Sequence, residues 1–161
     1  MKVFQIDKDL PQPKYATSGS VGLDTYVRES RLIQSKSYGL IPLNLIIQAP
    51  EGTFIGVLPR SSTFKRTGLI LANSIGVIDR DYCGPEDEIM ALVYNTSDNV
   101  VKIDKGERLF QLIIFNCETP EIEIVEECIK DNSRGGHGST GKWMNVYGIK
   151  NIKRLMDSLL M

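Results

Sequence analysis

No two cysteines in this chain are spaced to chelate zinc or to cycle as a dithiol. Cys83, Cys117 and Cys128 stand apart without a Cys-x-x-Cys pair, which fits free thiols in a reducing compartment, the cytoplasm or a host-cell interior. No apolar run is long enough to cross a bilayer, so no membrane partner is expected. The first residues, MKVFQIDKDL, meet an acid early and lack the apolar block of a secretory signal. An excess of one charge is missing too, since 19 Lys and Arg against 20 Asp and Glu leave a formal net charge of -1. Without a global basic field a nucleic acid is not an expected partner. A single nucleotide remains a feasible ligand.

What the 161 residues do contain is a succession of short β-prone runs. VFQI, VGLDTYV, LIPLNLIIQ, TFIGVLP, GLILANSIGVI, EIMALVYN, NVVKI, RLFQLIIF and EIEIVEE are separated by turn clusters such as APEG, NTSDN and DKGE. That rhythm predicts one all-β domain, a sandwich or barrel-like jelly roll. EIEIVEE alternates acid and isoleucine, as a strand with one wet face should. TFKRTG, after Ser62, reads as a single helical turn.

Two segments depart from this pattern. Residues 131–141, DNSRGGHGSTG, are too rich in Gly and Ser to bury apolar surface and are expected to be a flexible arm. In residues 142–161, Ile149, Ile152, Leu155, Met156, Leu159 and Leu160 recur at helical spacing between Lys150, Lys153 and Arg154, predicting a short amphipathic helix. The expected organisation is a β domain over residues 1–130, a flexible lid over 131–141 and a helical extension over 142–161.

Taken singly, the polar clusters are ordinary. SGSVGLD suits a turn entering a strand, with Asp24 a solvated acid, and PRSS, residues 59–62, suits a helix N-cap made by a serine hydroxyl. GERLFQ, residues 106–111, suits a hairpin turn with Gln111 at the surface, and RGGHGSTG, residues 134–141, a mobile tail. GVIDRDYCG, residues 76–84, is compatible with a plain turn after a strand or with a site, because Asp79, Arg80 and Asp81 follow the apolar pair Val77 and Ile78 at once.

In combination and in this order, the five stretches resemble the five-motif pattern of the trimeric deoxyuridine triphosphatases (dUTPases) from about Ala16 to Gly141. GVLPRSSTFKRTGLILANSIGVIDRDYCG is similar to that family's second and third motifs throughout. The resemblance implies a β jelly roll assembled as a homotrimer with shared active sites. It also implies hydrolysis of dUTP to dUMP and pyrophosphate by water attack on the α-phosphorus, with Mg²⁺ as cofactor. Such an activity limits uracil in DNA and supplies dUMP for thymidylate synthesis.

The resemblance also implies roles for particular residues. Asp79 matches the acid that orients and deprotonates the water. An ordinary aspartate is a weak base, so its placement should contribute more than its basicity. Tyr82 matches the aromatic residue that packs on deoxyribose and excludes a 2′-hydroxyl. Asn73 matches the side chain that helps the backbone read uracil, and Gly76 the close approach that pocket needs. Asp24 corresponds to the acid that meets Mg²⁺ through water, and Arg60 to the arginine that pairs with such a carboxylate across a subunit boundary. Ser61 and Gln111 match catalytic groups on the phosphates, Gln111 holding a phosphate oxygen or the water, with Ser62 beside them. In the arm, Arg134 would clamp the γ-phosphate, Gly138 would belong to an anion-binding backbone nest, and Ser139 and Thr140 would donate.

Several positions depart from the family pattern. His137, the single histidine, stands where the arm commonly carries a phenylalanine that stacks on uracil. GPEDE after Tyr82 is longer than the usual connection, Ser62 replaces a frequent glycine, and Asp24 is followed by Thr25 where leucine is usual. Two other readings share the fold: a dCTP deaminase, alone or bifunctional, and a regulatory protein that binds nucleotide and a protein partner.

Overall fold

The computed structural model describes residues 1–135. Residues Met1–Pro120 form one compact unit, and a second begins at Glu121. The first is almost entirely β, as its alternating runs predict. Strands β1 (Lys2–Gln5) to β12 (Phe110–Asn116) are joined by turns and one helical turn, α1 (Thr63–Thr67).

Every pairing is antiparallel. The largest sheet has five strands in the order β2 (Lys14–Tyr15), β3 (Leu23–Asp24), β12, β7 (Thr53–Pro59) and β9 (Gly76–Ile78). A second sheet orders β5 (Tyr38–Pro42), β10 (Met90–Asn95) and β8 (Leu69–Leu71), while β1 pairs with β6 (Leu45–Gln48) and β4 (Arg31–Ile33) with β11 (Val101–Ile103). Alternation sets the faces. Along β10, Ala91, Val93 and Asn95 are buried and the residues between them are partly exposed. Ile41, Ile55, Val57, Ile89, Ile103 and Leu112 lie in the core between the sheets, and each such side chain contributes about 1.5–3 kcal/mol on burial.

The helical turn forms where TFKRTG predicts it. It stops after one turn because Gly68 adopts φ +70°, and its N–H donates back to Phe64 O at 2.7 Å.

Three predicted strands differ from the structure. LIPLNLIIQ is two strands, since Asn44 takes φ +67°, a conformation asparagine tolerates better than most residues. Its side chain clasps Asp7, accepting from Asp7 N at 2.6 Å and donating to Asp7 O at 3.1 Å. GLILANSIGVI is also two strands, β8 and β9, which belong to different sheets and flank a turn with Ser74 at φ +64°. EIEIVEE is not a strand. Ile122 and Ile124 are about 90% exposed, and the segment has no ladder partner among the described residues.

Candidate active site

Asp24 lies in β3 with only 6% of its surface exposed, and a buried carboxylate needs compensating charge. Arg60, immediately after β7, places Nε 3.0 Å from Asp24 Oδ1. Arg108, just before β12, donates from an Nη atom to Asp24 Oδ2 at 3.2 Å. Arg60 also donates to the carbonyl oxygen of Arg108 at 3.2 Å. In the single chain the Arg60–Asp24 pair closes within one copy. Two guanidiniums on one carboxylate leave a net positive charge at the surface, with N–H groups to spare.

Arg108 is the residue that reading by motif misses. Its position in GERLFQ shows only a cation near Gln111. The pairing of Gln111 with Asp24 across β12 and β3 is what brings it to the carboxylate.

Gln111 stands between Asp24 on one neighbouring strand and Leu58 on the other. Its Nε2 donates to Pro59 O at 3.2 Å. Ser61 follows Arg60 and is exposed. Ser62 occupies the N-cap position of α1 but has helical dihedrals, φ −89° and ψ −11°, and makes no side-chain cap. The hydroxyl of PRSS that a plain cap would use is thus not spent on the helix. Asp24, Arg60, Ser61 and Gln111 line one cleft of about 410 Å³ together with Gly19, Ser20 and Gly22. A larger cleft of about 650 Å³, bordered by Lys8, Lys14 and Tyr15, contains none of the expected site residues.

Asn73, Gly76, Asp79 and Tyr82 belong to a second cluster around β9. Gly76 is buried against Val57, whose Cβ would lie 3.0 Å from a Cβ at residue 76, so the strand approaches β7 closely only because residue 76 is glycine. Asn73 lies beside it, with Nδ2 3.9 Å from the same point. Asp79 follows β9 directly with an exposed side chain, and its carbonyl oxygen accepts from Tyr82 N at 3.2 Å, turning the chain. Tyr82 is 40% exposed. The long GPEDE connection is anchored twice. Asp87 Oδ2 accepts from Gly84 N at 2.6 Å, and Glu88 accepts from Arg28 Nε at 2.9 Å and Nη2 at 2.6 Å. Those bonds from Glu88 hold the Arg28 guanidinium above its usual pKa.

The two clusters do not meet within one chain. Ile78 pairs with Ile55, so Asp79 is level with Phe54, six residues before Arg60 on the same extended strand. At about 3.3 Å per residue, roughly 20 Å separates the acid from the arginine. Arg134 is exposed beside Gly135, which takes φ +80°. His137, Gly138, Ser139 and Thr140, and the candidate helix of residues 142–161, lie outside the described residues. Among those described, no three His, Cys, Asp or Glu side chains converge to hold a metal.

A family model for dUTPase matches residues 8–141. A deoxyuridine 5′-triphosphate nucleotidohydrolase from Thermoanaerobacter sp. (strain X514) is 37% identical over 148 residues, 88% of this chain and 97% of the relative. Another from Finegoldia magna is 38% identical over 147 residues, 88% of this chain and 99% of the relative. Among solved structures, the dUTPase from Streptococcus mutans superposes with a TM-score of 0.68 at 29% identity, covering 75% of this chain and 99% of that one. A Staphylococcus bacteriophage 80alpha dUTPase variant with dUpNHpp shares the fold, with a TM-score of 0.73 at 23% identity over 88% of this chain and 98% of its own. The order of motifs, the antiparallel fold and a match running through most of the chain agree, and the protein belongs to the dUTPase family.

Proposed function

We propose that the protein hydrolyses dUTP to dUMP and pyrophosphate as a homotrimer whose active sites are shared between chains. The observation that carries this reading is the separation of about 20 Å between Asp79 and the cleft at Arg60, Ser61 and Gln111. One nucleotide cannot touch both clusters of one chain in a geometry where reacting atoms stand about 3 Å apart. A second copy that brings its cleft to the first copy's β9 turn supplies a complete site.

In such a site, uracil lies against the backbone between Asn73 and Gly76. A backbone N–H facing O4 and a carbonyl facing N3–H match uracil, and cytosine would leave both unpaired. The Tyr82 ring packs on the deoxyribose, where a 2′-hydroxyl would collide with it. Asp79 aligns the water with the α-phosphorus and takes its proton. Phosphoryl transfer asks the protein mostly for alignment and countercharge. The excess positive charge of Arg60 and Arg108 on Asp24 provides countercharge, and the Ser61 and Ser62 hydroxyls and the Gln111 amide provide donors. Arg134, His137, Gly138, Ser139 and Thr140 belong to the arm that closes over the nucleotide and excludes bulk water.

The donor set bears on Mg²⁺. Among the described residues Asp24 is the one carboxylate bordering the cleft; its Oδ2 accepts from Arg108 and its Oδ1 is ion-paired with Arg60. Such a donor set would not encage an ion that takes six oxygens, but Asp24 would suit a hydrated Mg²⁺ accompanying the triphosphate by accepting from its waters. When bound, the ion offsets the negative charge of the phosphates.

The deaminase alternative expects a catalytic glutamate on the strand after the turn. Here that strand, β10, reads MALVYN and carries no carboxylate, and Glu88 before it is committed to Arg28. A cytoplasmic location agrees with cysteines that are all free. A nucleotide panel with Mg²⁺, monitored for pyrophosphate and ammonia together, tests the reading. Pyrophosphate from dUTP alone is the expected result, and ammonia from dCTP contradicts it.

A further inference from the structure

Gly22 is buried just before β3, and its backbone does not call for glycine, since φ lies outside the left-handed region. Space does. A Cβ at residue 22 would stand 2.1 Å from Gln111 Oε1 and 2.9 Å from Gln111 Cδ, distances no pair of unbonded atoms sustains. The Gln111 amide therefore occupies the volume that any side chain at residue 22 would fill. The orientation of that amide is fixed chemically. Pro59 O is an acceptor only, so the atom facing it at 3.2 Å must be Nε2. Oε1 is then the atom packed over Gly22, and the second N–H of Nε2 remains for a ligand.

Resting on the dUTPase reading above, we propose that Gly22 is the positioning residue of the phosphate side. By lacking a side chain it seats the Gln111 amide so that Gln111 meets the triphosphate as a hydrogen-bond donor to a phosphoryl oxygen and does not accept from the attacking water. Phosphoryl oxygens are acceptors only at neutral pH, so a single free N–H held from both sides is the group they require. This separates two roles that the motif itself leaves open for Gln111.

The test is a cycle of Gly22→Ala, Gln111→Ala and the double variant, with Gln111→Glu alongside. Gly22→Ala should lower kcat/KM for dUTP by about 10²-fold, the scale of one lost preorganised donor. Gln111→Ala should cost a similar factor, and the double variant no more than Gln111→Ala alone, because the two clashing atoms, Oε1 and Cδ, are gone, leaving Gln111 Cβ at 3.2 Å as the remaining one of the three nearest atoms. Multiplying effects would overturn the proposal. Gln111→Glu has no N–H to offer and should be at least as impaired as Gln111→Ala; retained turnover would mean that the side chain accepts from water.

A readout independent of catalysis is the Gln111 side-chain amide pair in a ¹H–¹⁵N spectrum, identified by its loss in Gln111→Ala. It should be dispersed in the wild type and move toward free-amide shifts in Gly22→Ala. An unmoved pair overturns the positioning role even if the wild type fails to hydrolyse dUTP, an outcome that would count against the parent reading alone. Should Gly22→Ala not fold, the double variant should regain the fold, and its failure to do so contradicts the proposal.

Discussion

The cleft at Asp24 and the turn that carries Asp79 are built on opposite terms. Around Asp24, three strands and the start of α1 converge, the carboxylate is buried, and both of its oxygens are held by arginine. Around Asp79 a three-residue edge strand ends in an exposed turn whose bonds are mainly backbone to backbone. The first region is organised by its own chain, so it can present positive charge and donors without help. The second presents an exposed acid and an aromatic ring that is 40% exposed at the surface. In the proposed shared site, the difference marks the β9 turn as the half that a neighbouring copy's cleft would complete.

The comparison breaks most sharply at Asp79. Asp79→Asn keeps the volume of the side chain but cannot take a proton, so hydrolysis should fall by about 10²–10⁴-fold while a non-hydrolysable dUTP analogue still binds in calorimetry. Near-normal turnover would remove Asp79 from that role. Because the residue is exposed and outside the core, the melting temperature should hardly change.

Asp24→Asn should behave in the contrary way and lose stability as well as activity. The amide cannot balance two guanidiniums, and its N–H₂ must face one of them. Losing the charged hydrogen bond from Arg108 costs about 1.5–3 kcal/mol, discounted because Arg108 is 44% exposed, and the Arg60 ion pair is weakened beside it. A fall of several degrees in melting temperature is expected, and an unchanged denaturation curve would contradict the buried-pair argument.

Tyr82→Ala probes selectivity within the exposed region. The preference for dUTP over UTP should narrow by up to about 10²-fold, with the preference for uracil over cytosine nearly intact in competition assays. If both preferences fell together, Tyr82 would be supporting the turn and not screening the sugar.

The smallest effect belongs to a site remote from both regions. Lys105 Nζ lies 2.5 Å from Asp7 Oδ2, and its hydrogen bond, foremost among the causes, lowers the Asp7 pKa. A depressed carboxylate contributes stability that is complete above its unfolded pKa, about 3.9, and is lost as pH falls through the lower folded value. The stability difference between wild type and Lys105→Met should therefore be small at neutral pH and shrink below about pH 4, with turnover untouched.

The same contrast governs how far the sequence could be read. Alternation and turn residues are local, so the β class, most strands and the single turn of α1 were all legible from them. Asn44 splits a predicted strand because its side chain clasps Asp7, 37 residues away, and no window along the chain contains that fact. EIEIVEE carries the pattern of a half-buried strand, but a pattern does not provide a partner, and Ile122 and Ile124 stay exposed. At the site, residue types in motifs pointed to Asp24, Ser61, Asp79 and Gln111. Arg108 and Gly22 escaped because their roles come from register: one reaches a carboxylate across a strand, and the other makes room for an amide across a strand.

The shared-site claim is tested most directly by mixing two defective chains, Asp79→Asn and Gln111→Ala, each with one region intact. The two are denatured together, refolded, and the mixed oligomers isolated and confirmed by mass, with folded parents combined without exchange as the control. If base and phosphate cluster come from different chains, some sites in the mixed trimers join a wild-type Asp79 to a wild-type Gln111, and activity should rise well above the parental average. If confirmed mixed trimers show only that average, both regions act within one chain and the account is contradicted.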